Sequence, residues 1–202
     1  MNDLTFHNIF LGILIGLVSL MFILLAYYHY KRETNIKKVF KYQVIKRNAE
    51  FSGGFVFSSP KLKFNYKQNK VKIYLITGRY STTTYIEIKL SRDANQKMKI
   101  YRETYASKVG KIIGLQDIEI GNYEFDKSII LKGSDENFVR KLLSYEFQVK
   151  TLDMINKYKT IIHLKNDLLT IILFDTFKDE KSSDELIDYS LRLTDKIEEI
   201  QK

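Results

Sequence analysis

Apolar residues fall along this chain in three rhythms. From Ile9 to Ala26 there are eighteen uncharged and mostly apolar positions, closed by Tyr27-Tyr28-His29-Tyr30-Lys31-Arg32. That length suits a helix crossing the hydrocarbon of a bilayer, where one segment must satisfy its own backbone hydrogen bonds. The rhythm then becomes amphipathic: Ile36, Val39, Phe40, Val44, Ile45 and Ala49 recur at helical spacing, with neither Gly nor Pro between Leu17 and Ser52. The spacing predicts a second helix, continuous with the first or broken near Thr34-Asn35. Ser52-Gly53-Gly54 is its expected stop, because glycine accepts the positive φ of a helix end.

From residue 55 to 105 the rhythm shortens to two. Leu62, Phe64 and Tyr66 alternate with Lys61, Lys63, Asn65 and Lys67, and Val71, Ile73 and Leu75 with Lys72, Tyr74 and Ile76. Ile86, Ile88 and Leu90 alternate with Tyr85, Glu87 and Lys89, and Met98 and Ile100 with Lys97, Lys99 and Tyr101. This pattern predicts antiparallel strands with one buried face and one wet face. Gln68-Asn69-Lys70 reads as a turn, and Gly78 to Thr83 as a longer polar loop.

The second half is mixed. A short strand is expected near Asp117–Ile120, a turn at Phe125-Asp126, and a strand at Ser128–Lys132. A helix capped by Ser134 or Asp135 carries Phe138, Val139, Leu142 and Leu143, and another runs through Phe147, Leu152 and Ile155. Asn166-Asp167 joins strands Thr160–Lys165 and Leu168–Phe174 in a hairpin. Ser182-Ser183-Asp184-Glu185 reads as a capping box for a last helix burying Leu186, Leu193, Ile197 and Ile200. The fold class expected is α+β: an N-terminal transmembrane helix followed by one largely antiparallel α+β domain. Its boundaries are a leader at 1–8, the transmembrane helix at 9–30, a basic juxtamembrane amphipathic helix at 31–52 and a cytoplasmic α+β domain at 53–202.

Charge gives the span a direction. The leader has no Lys or Arg, whereas Lys31, Arg32, Lys37, Lys38, Lys41, Lys46 and Arg47 follow the span closely. Basic flanks stay on the cytoplasmic side, so the N-terminus is expected outside and the domain inside. A cleaved signal peptide would want a basic start and small residues at its exit; this chain has neither, which favours an uncleaved signal-anchor in the cell membrane. Residues 9–28 then contact the bilayer. Gly12 and Gly16 form a GxxxG spacing that fits a partner helix or plain packing freedom.

The net charge is +9, and its placement matters more than its size: residues 31–105 carry 18 basic and 5 acidic side chains, residues 106–202 carry 15 and 18. On the wet strand face the alternation displays Lys61, Lys63, Lys67, Lys72, Lys89, Lys97 and Lys99, interleaved with Tyr74, Tyr85 and Tyr101. Such a face suits anionic inner-leaflet lipids, at about 1 kcal/mol per basic residue near the surface, or single-stranded nucleic acid, or solvent alone. A merely solvated lysine-rich face ranks above both, and lipid ranks above nucleic acid because the tether keeps a membrane within reach.

Candidate chemistry is sparse. With no Cys, thiolate nucleophiles and thiolate metal sites are excluded, and only His7, His29 and His163 are present. His163 lies in a strand between Ile162 and Leu164, which is the position of a half-buried structural histidine. Gly110-Lys111-Ile112-Ile113-Gly114 lacks the spacing and the hydroxyl of a phosphate-binding loop. Asp117, Glu119, Glu124 and Asp126 are candidates for paired acid–base carboxylates or for ordinary turn chemistry. Arg79, Ser81 and Thr82, in the Gly78–Thr84 loop, are candidates for an anion cradle or for a plain hairpin loop. No cofactor and no metal are expected.

Glu124-Phe125-Asp126-Lys127, a short strand, Ser134-Asp135 and Arg140-Lys141-Leu142-Leu143-Ser144 follow one another between Gly121 and Phe174. This stretch resembles an uncharacterised family of bacterial membrane-associated proteins, a domain of unknown function. Tyr145 stands where that family often has proline. The resemblance implies a bacterial, membrane-anchored domain and supplies no catalytic residues. The reading is therefore a single-pass membrane protein whose cytoplasmic domain binds protein partners or the anionic inner leaflet. A membrane-tethered enzyme using Asp117–Asp126 on a lipid-linked or phosphorylated substrate is the first alternative, and nucleic-acid binding the second.

Overall fold

A computed structural model describes residues 3–53, 59–78, 81–105 and 115–201. Arg79, Gly54 and the Gly110–Gly114 stretch lie outside the described residues. The chain forms two compact units, Met1–Lys38 and Val39–Lys202.

Helix α1 spans Asp3–Arg47. Its described large apolar side chains from Phe10 to Leu25 are all at least 43% exposed. Among the described residues this is one helix long and apolar enough to cross a membrane. A Cβ at Gly12 or Gly16 would meet nothing within 4 Å.

The second unit begins with the last residues of α1. Val39, Phe40 and Gln43 are buried, whereas Ile45, counted in the apolar stripe, is exposed. The helix stops at Asn48 rather than at the glycines: Asn48 takes φ +49, and the Ala49 amide donates to the Val44 carbonyl at 3.0 Å. Asparagine tolerates the left-handed turn almost as glycine does, which frees Glu50–Ser52 to form strand β1.

Eight further strands follow: β2 Lys61–Tyr66, β3 Asn69–Thr77, β4 Thr82–Lys89, β5 Lys97–Arg102, β6 Gln116–Asp117, β7 Ile129–Gly133, β8 Thr160–Lys165 and β9 Leu168–Leu173. They build one antiparallel nine-stranded sheet in the order β1-β2-β3-β4-β9-β8-β5-β7-β6. The β2–β3 turn is Lys67-Gln68, one step earlier than expected, because Asn69 is buried in the ladder and its side chain accepts from the Ser91 amide at 2.7 Å. Asn166 takes φ +55 in the expected β8–β9 turn. The β4–β5 connection clasps that turn: Leu90 and Ala94 amides donate to Asp167 and Asn166 carbonyls, and the Asn166 amide donates to the Gln96 carbonyl.

Register turns the alternation into a core. Leu62, Ile73, Ile86, Ile171, Ile162, Ile100 and Leu131 are successive partners across seven strands, none more than 3% exposed. Among the described residues of the unit are also helices α2 Tyr123–Ser128, α3 Glu136–Leu142, α4 Tyr145–Tyr158 and α5 Glu180–Ile200. Where a turn is expected at Phe125-Asp126, α2 forms, because the Asn122 side chain accepts from the Phe125 amide and Phe125 is buried. Helix α5 starts three residues before the expected box: Asp179 caps it, and Ser182 closes the reciprocal bond. Buried Ser183, Ser190 and Thr194 are small enough for close approach of α5 to its neighbours, and the fully buried Tyr189 shares a 2.7 Å bond with Thr151 of α4. The observed class is the expected one, α+β with an antiparallel sheet after a long apolar helix.

A latch fixes the end of α1 to α5. Asp184 accepts from the Tyr42 hydroxyl at 2.7 Å, the Gln43 amide at 2.8 Å and the Lys46 ammonium at 2.8 Å. Arg47 donates to Asp188 at 2.8 Å and to the Gln43 side-chain oxygen at 2.7 Å.

Candidate basic sheet face

The residues opposite the core face form rows of their own. One row crosses all nine strands as register partners: Glu50, Lys63, Lys72, Glu87, Thr170, His163, Lys99, Lys132 and Asp117. Beside it runs a lysine row, with Lys70, Lys89, Leu168, Lys165 and Lys97 paired in sequence. On the other side Lys61, Tyr74, Tyr85, Ile172 and Ile161 are successive partners. Among the described strand residues this face carries nine lysines against three carboxylates, Glu50, Glu87 and Asp117.

Most of the expected site residues meet here. Lys61, Lys63, Lys89 and Lys97 are exposed, while Lys72, Lys99, Tyr74 and Tyr85 are half-buried. Two depart from expectation. Lys67 sits at φ +54 in the hairpin turn, and its ammonium meets Asp195 of α5 at 2.5 Å, which takes it away from the face. Tyr101 has the right parity but is only 4% exposed, so it packs rather than displays. Lys70, Lys132 and Lys165 were missing from the expected set. The signal for the last two was present, since they alternate with buried Leu131 and Leu164. Lys70 was hidden by placing the turn one step late.

Glu87 organises the middle of the face. It accepts from the Tyr74 hydroxyl at 2.7 Å and from Lys72 at 3.2 Å. Burial first, and then the bond to Glu87, push the Tyr74 hydroxyl well above its usual range. The Tyr74 and Tyr85 rings stack on each other, centroids 5.0 Å apart and planes within 4°. One face of each ring is thereby occupied, which weakens the case for base stacking. His163 is pushed down to about 4 by burial and then by the positive charges of Lys99 and Lys165. It is neutral at physiological pH. Burial also lowers Lys99, whereas the bond that Lys132 donates to Asp117 at 2.8 Å raises Lys132.

Toward the β1 edge the face opens into a groove of about 660 Å³, lined chiefly by Glu50, Lys63, Lys70, Lys72, Glu87 and Lys89. Lys72 is paired with Glu87, and Lys89 lies 3.5 Å from Asp167. Lys63 and Lys70 have no ion-pair partner among the described residues.

The other candidates do not converge. Asp117 pairs with Lys132, Asp126 accepts from the Ile120 and Gly121 amides, and Glu119 and Glu124 are exposed. Among the described residues no group of three or more His, Asp or Glu side chains is placed to hold a metal ion. Thr82 is a buried ladder partner of Thr77 and donates to its hydroxyl at 3.3 Å, which leaves Ser81 as the exposed one of the two described anion-cradle candidates. Ser134, Asp135 and Arg140 serve as caps and braces: Asp135 caps α3, Ser134 accepts from the Lys97 amide, and Arg140 donates to the Glu119 carbonyl.

No family model matches the chain, the 121–174 stretch included, and no curated protein matches it. Among solved structures, the crystal structure of the mycobacterial trehalose monomycolate transport factor A, TtfA, is similar, with a TM-score of 0.59 and 10% sequence identity. The likeness covers 82% of this chain and 96% of that one. At that identity it shows a shared fold.

Proposed function

We propose that this is a single-pass membrane protein, N-terminus outside, whose cytoplasmic unit works by binding and lays its lysine-rich sheet face against anionic lipid of the inner leaflet. The observation that carries the reading is the gathering of nine lysines and three carboxylates on one sheet face of a unit joined to a membrane-length apolar helix. At about 1 kcal/mol per basic residue near an anionic leaflet, even half of them gives substantial attraction to a surface the tether keeps close. The basic residues just after the span support the orientation. The mycobacterial neighbour that shares the fold is titled a transport factor; a fold does not by itself carry function, so the proposal stands on the basic face and the apolar helix.

Vesicle flotation of residues 31–202 tests the reading. Binding should rise with phosphatidylserine content and fall steeply between low and physiological salt, as screening requires. Flotation that ignores both variables would remove it.

A further inference from the structure

The groove at the β1 edge brings four ammonium groups together in an arrangement the fold itself disfavours. Lys63 stands directly opposite Lys72 on neighbouring strands, and Lys70 stands directly opposite Lys89. Like charges opposed on one sheet face destabilise the pairing, and here two such pairs lie side by side. Glu87 relieves Lys72, and Asp167 lies near Lys89. Glu50 is the register partner of Lys63, yet no ion pair forms between them. Positive charge is thus left over where Lys63 and Lys70 meet the groove, whose volume of about 660 Å³ falls within the range of small-ligand sites. Sites that break a local stability rule without internal compensation are where function is expected.

We infer that this groove is a discrete site for one phosphate-monoester group, held between Lys63 and Lys70 with Lys72 and Lys89 completing the cradle. Lysine serves phosphate as a mobile point charge, and a group carrying close to two negative charges matches the two lysines that lack partners. The inference rests on the leaflet reading and sharpens it from a general attraction to a defined headgroup chemistry. Lys97 and Lys165 supply the comparison: they too are opposed across strands of the same face, but they lie outside the groove lining.

The test titrates the full chain in neutral detergent micelles with short-chain phosphatidic acid, followed by calorimetry, with inorganic phosphate as competitor. Saturable one-to-one binding is expected. The double substitution K63Q/K70Q should weaken it by about tenfold or more, as two lysines at about 1 kcal/mol each require, and K97Q/K165Q by about twofold or less, because neither lysine lines the groove. All four lysines are exposed, and circular dichroism verifies that the variants remain folded. Displacement by inorganic phosphate assigns the site to phosphate as such, and failure to displace assigns it to the lipid-borne group. Equal weakening by both double substitutions overturns the discrete site and leaves the leaflet reading standing. Absence of any binding to phosphatidic acid, together with salt-independent flotation, overturns both.

Discussion

Substituting Asp184 should loosen the end of α1 from the rest of the second unit. Its carboxylate accepts from Tyr42 at 2.7 Å, Gln43 at 2.8 Å and Lys46 at 2.8 Å, with Arg47 3.6 Å away. Hydrogen bonds to a charged group are worth about 1.5–3 kcal/mol each where burial is complete. Asp184 is 20% exposed and Lys46 40%, and the Gln43 amide keeps Ser183 as a second partner at 2.7 Å. Water therefore recovers part of the loss, and D184A is expected to cost about 2–3 kcal/mol in all, D184N about half as much. Burial by itself would raise the Asp184 carboxyl, but the bonds from Lys46, Gln43 and Tyr42 outweigh it and hold it below the usual carboxylate range. A depressed carboxyl stabilises the fold fully above the unfolded value, about 3.9, and loses that contribution as pH falls through its folded value. Urea unfolding of residues 31–202 at pH 7 and at pH 3 measures both effects, with D188A as reference. Asp188 is 50% exposed and bonds only Arg47 among the described residues, so its removal should cost under about 1 kcal/mol. The latch is refuted if D184A costs no more than D188A at pH 7, or if the gap between them is unchanged at pH 3.

Three further substitutions probe the packing and the face. A Cβ on Gly133 would lie 2.8 Å from both Ile118 and Val139 side chains, so G133A should destabilise by about 1–3 kcal/mol in the same unfolding assay. Y189F leaves the Thr151 hydroxyl without its 2.7 Å partner in a fully buried place and should cost about 1–2 kcal/mol, much of it recovered in Y189F/T151V. K63Q removes one of two opposed charges and should raise stability at low salt by a few tenths to about 1 kcal/mol, with the gain fading at high salt. A loss of stability in K63Q would contradict the account of the groove.

Much of the second unit was legible because its strands obey a strict two-residue rhythm, with buried Leu62, Ile73, Ile86 and Ile100 on one side and lysines on the other. The order of those strands was not. Insertion of the β8–β9 hairpin between β4 and β5 depends on pairings such as Ile86 with Ile171 and Ile162 with Ile100, which no local pattern encodes. The missed turns and caps have local causes. Asn48 and Lys67 take positive φ without being glycine, and Asp179 outcompetes the serines that follow it. For the site, lysine-by-lysine alternation found most of the face. The groove was invisible, because it arises only when β1 to β4 set Lys63 against Lys72 and Lys70 against Lys89.

The absence of cysteine makes the most direct test of the central claim simple. Single substitutions Asn2→Cys and Lys97→Cys in the full chain, treated in intact cells with a membrane-impermeant maleimide, report the side of the membrane each occupies. A single span with the N-terminus outside predicts labelling at position 2 in intact cells and labelling at position 97 only after permeabilisation. Labelling of position 97 in intact cells, or recovery of the protein from the soluble fraction without detergent, would contradict it.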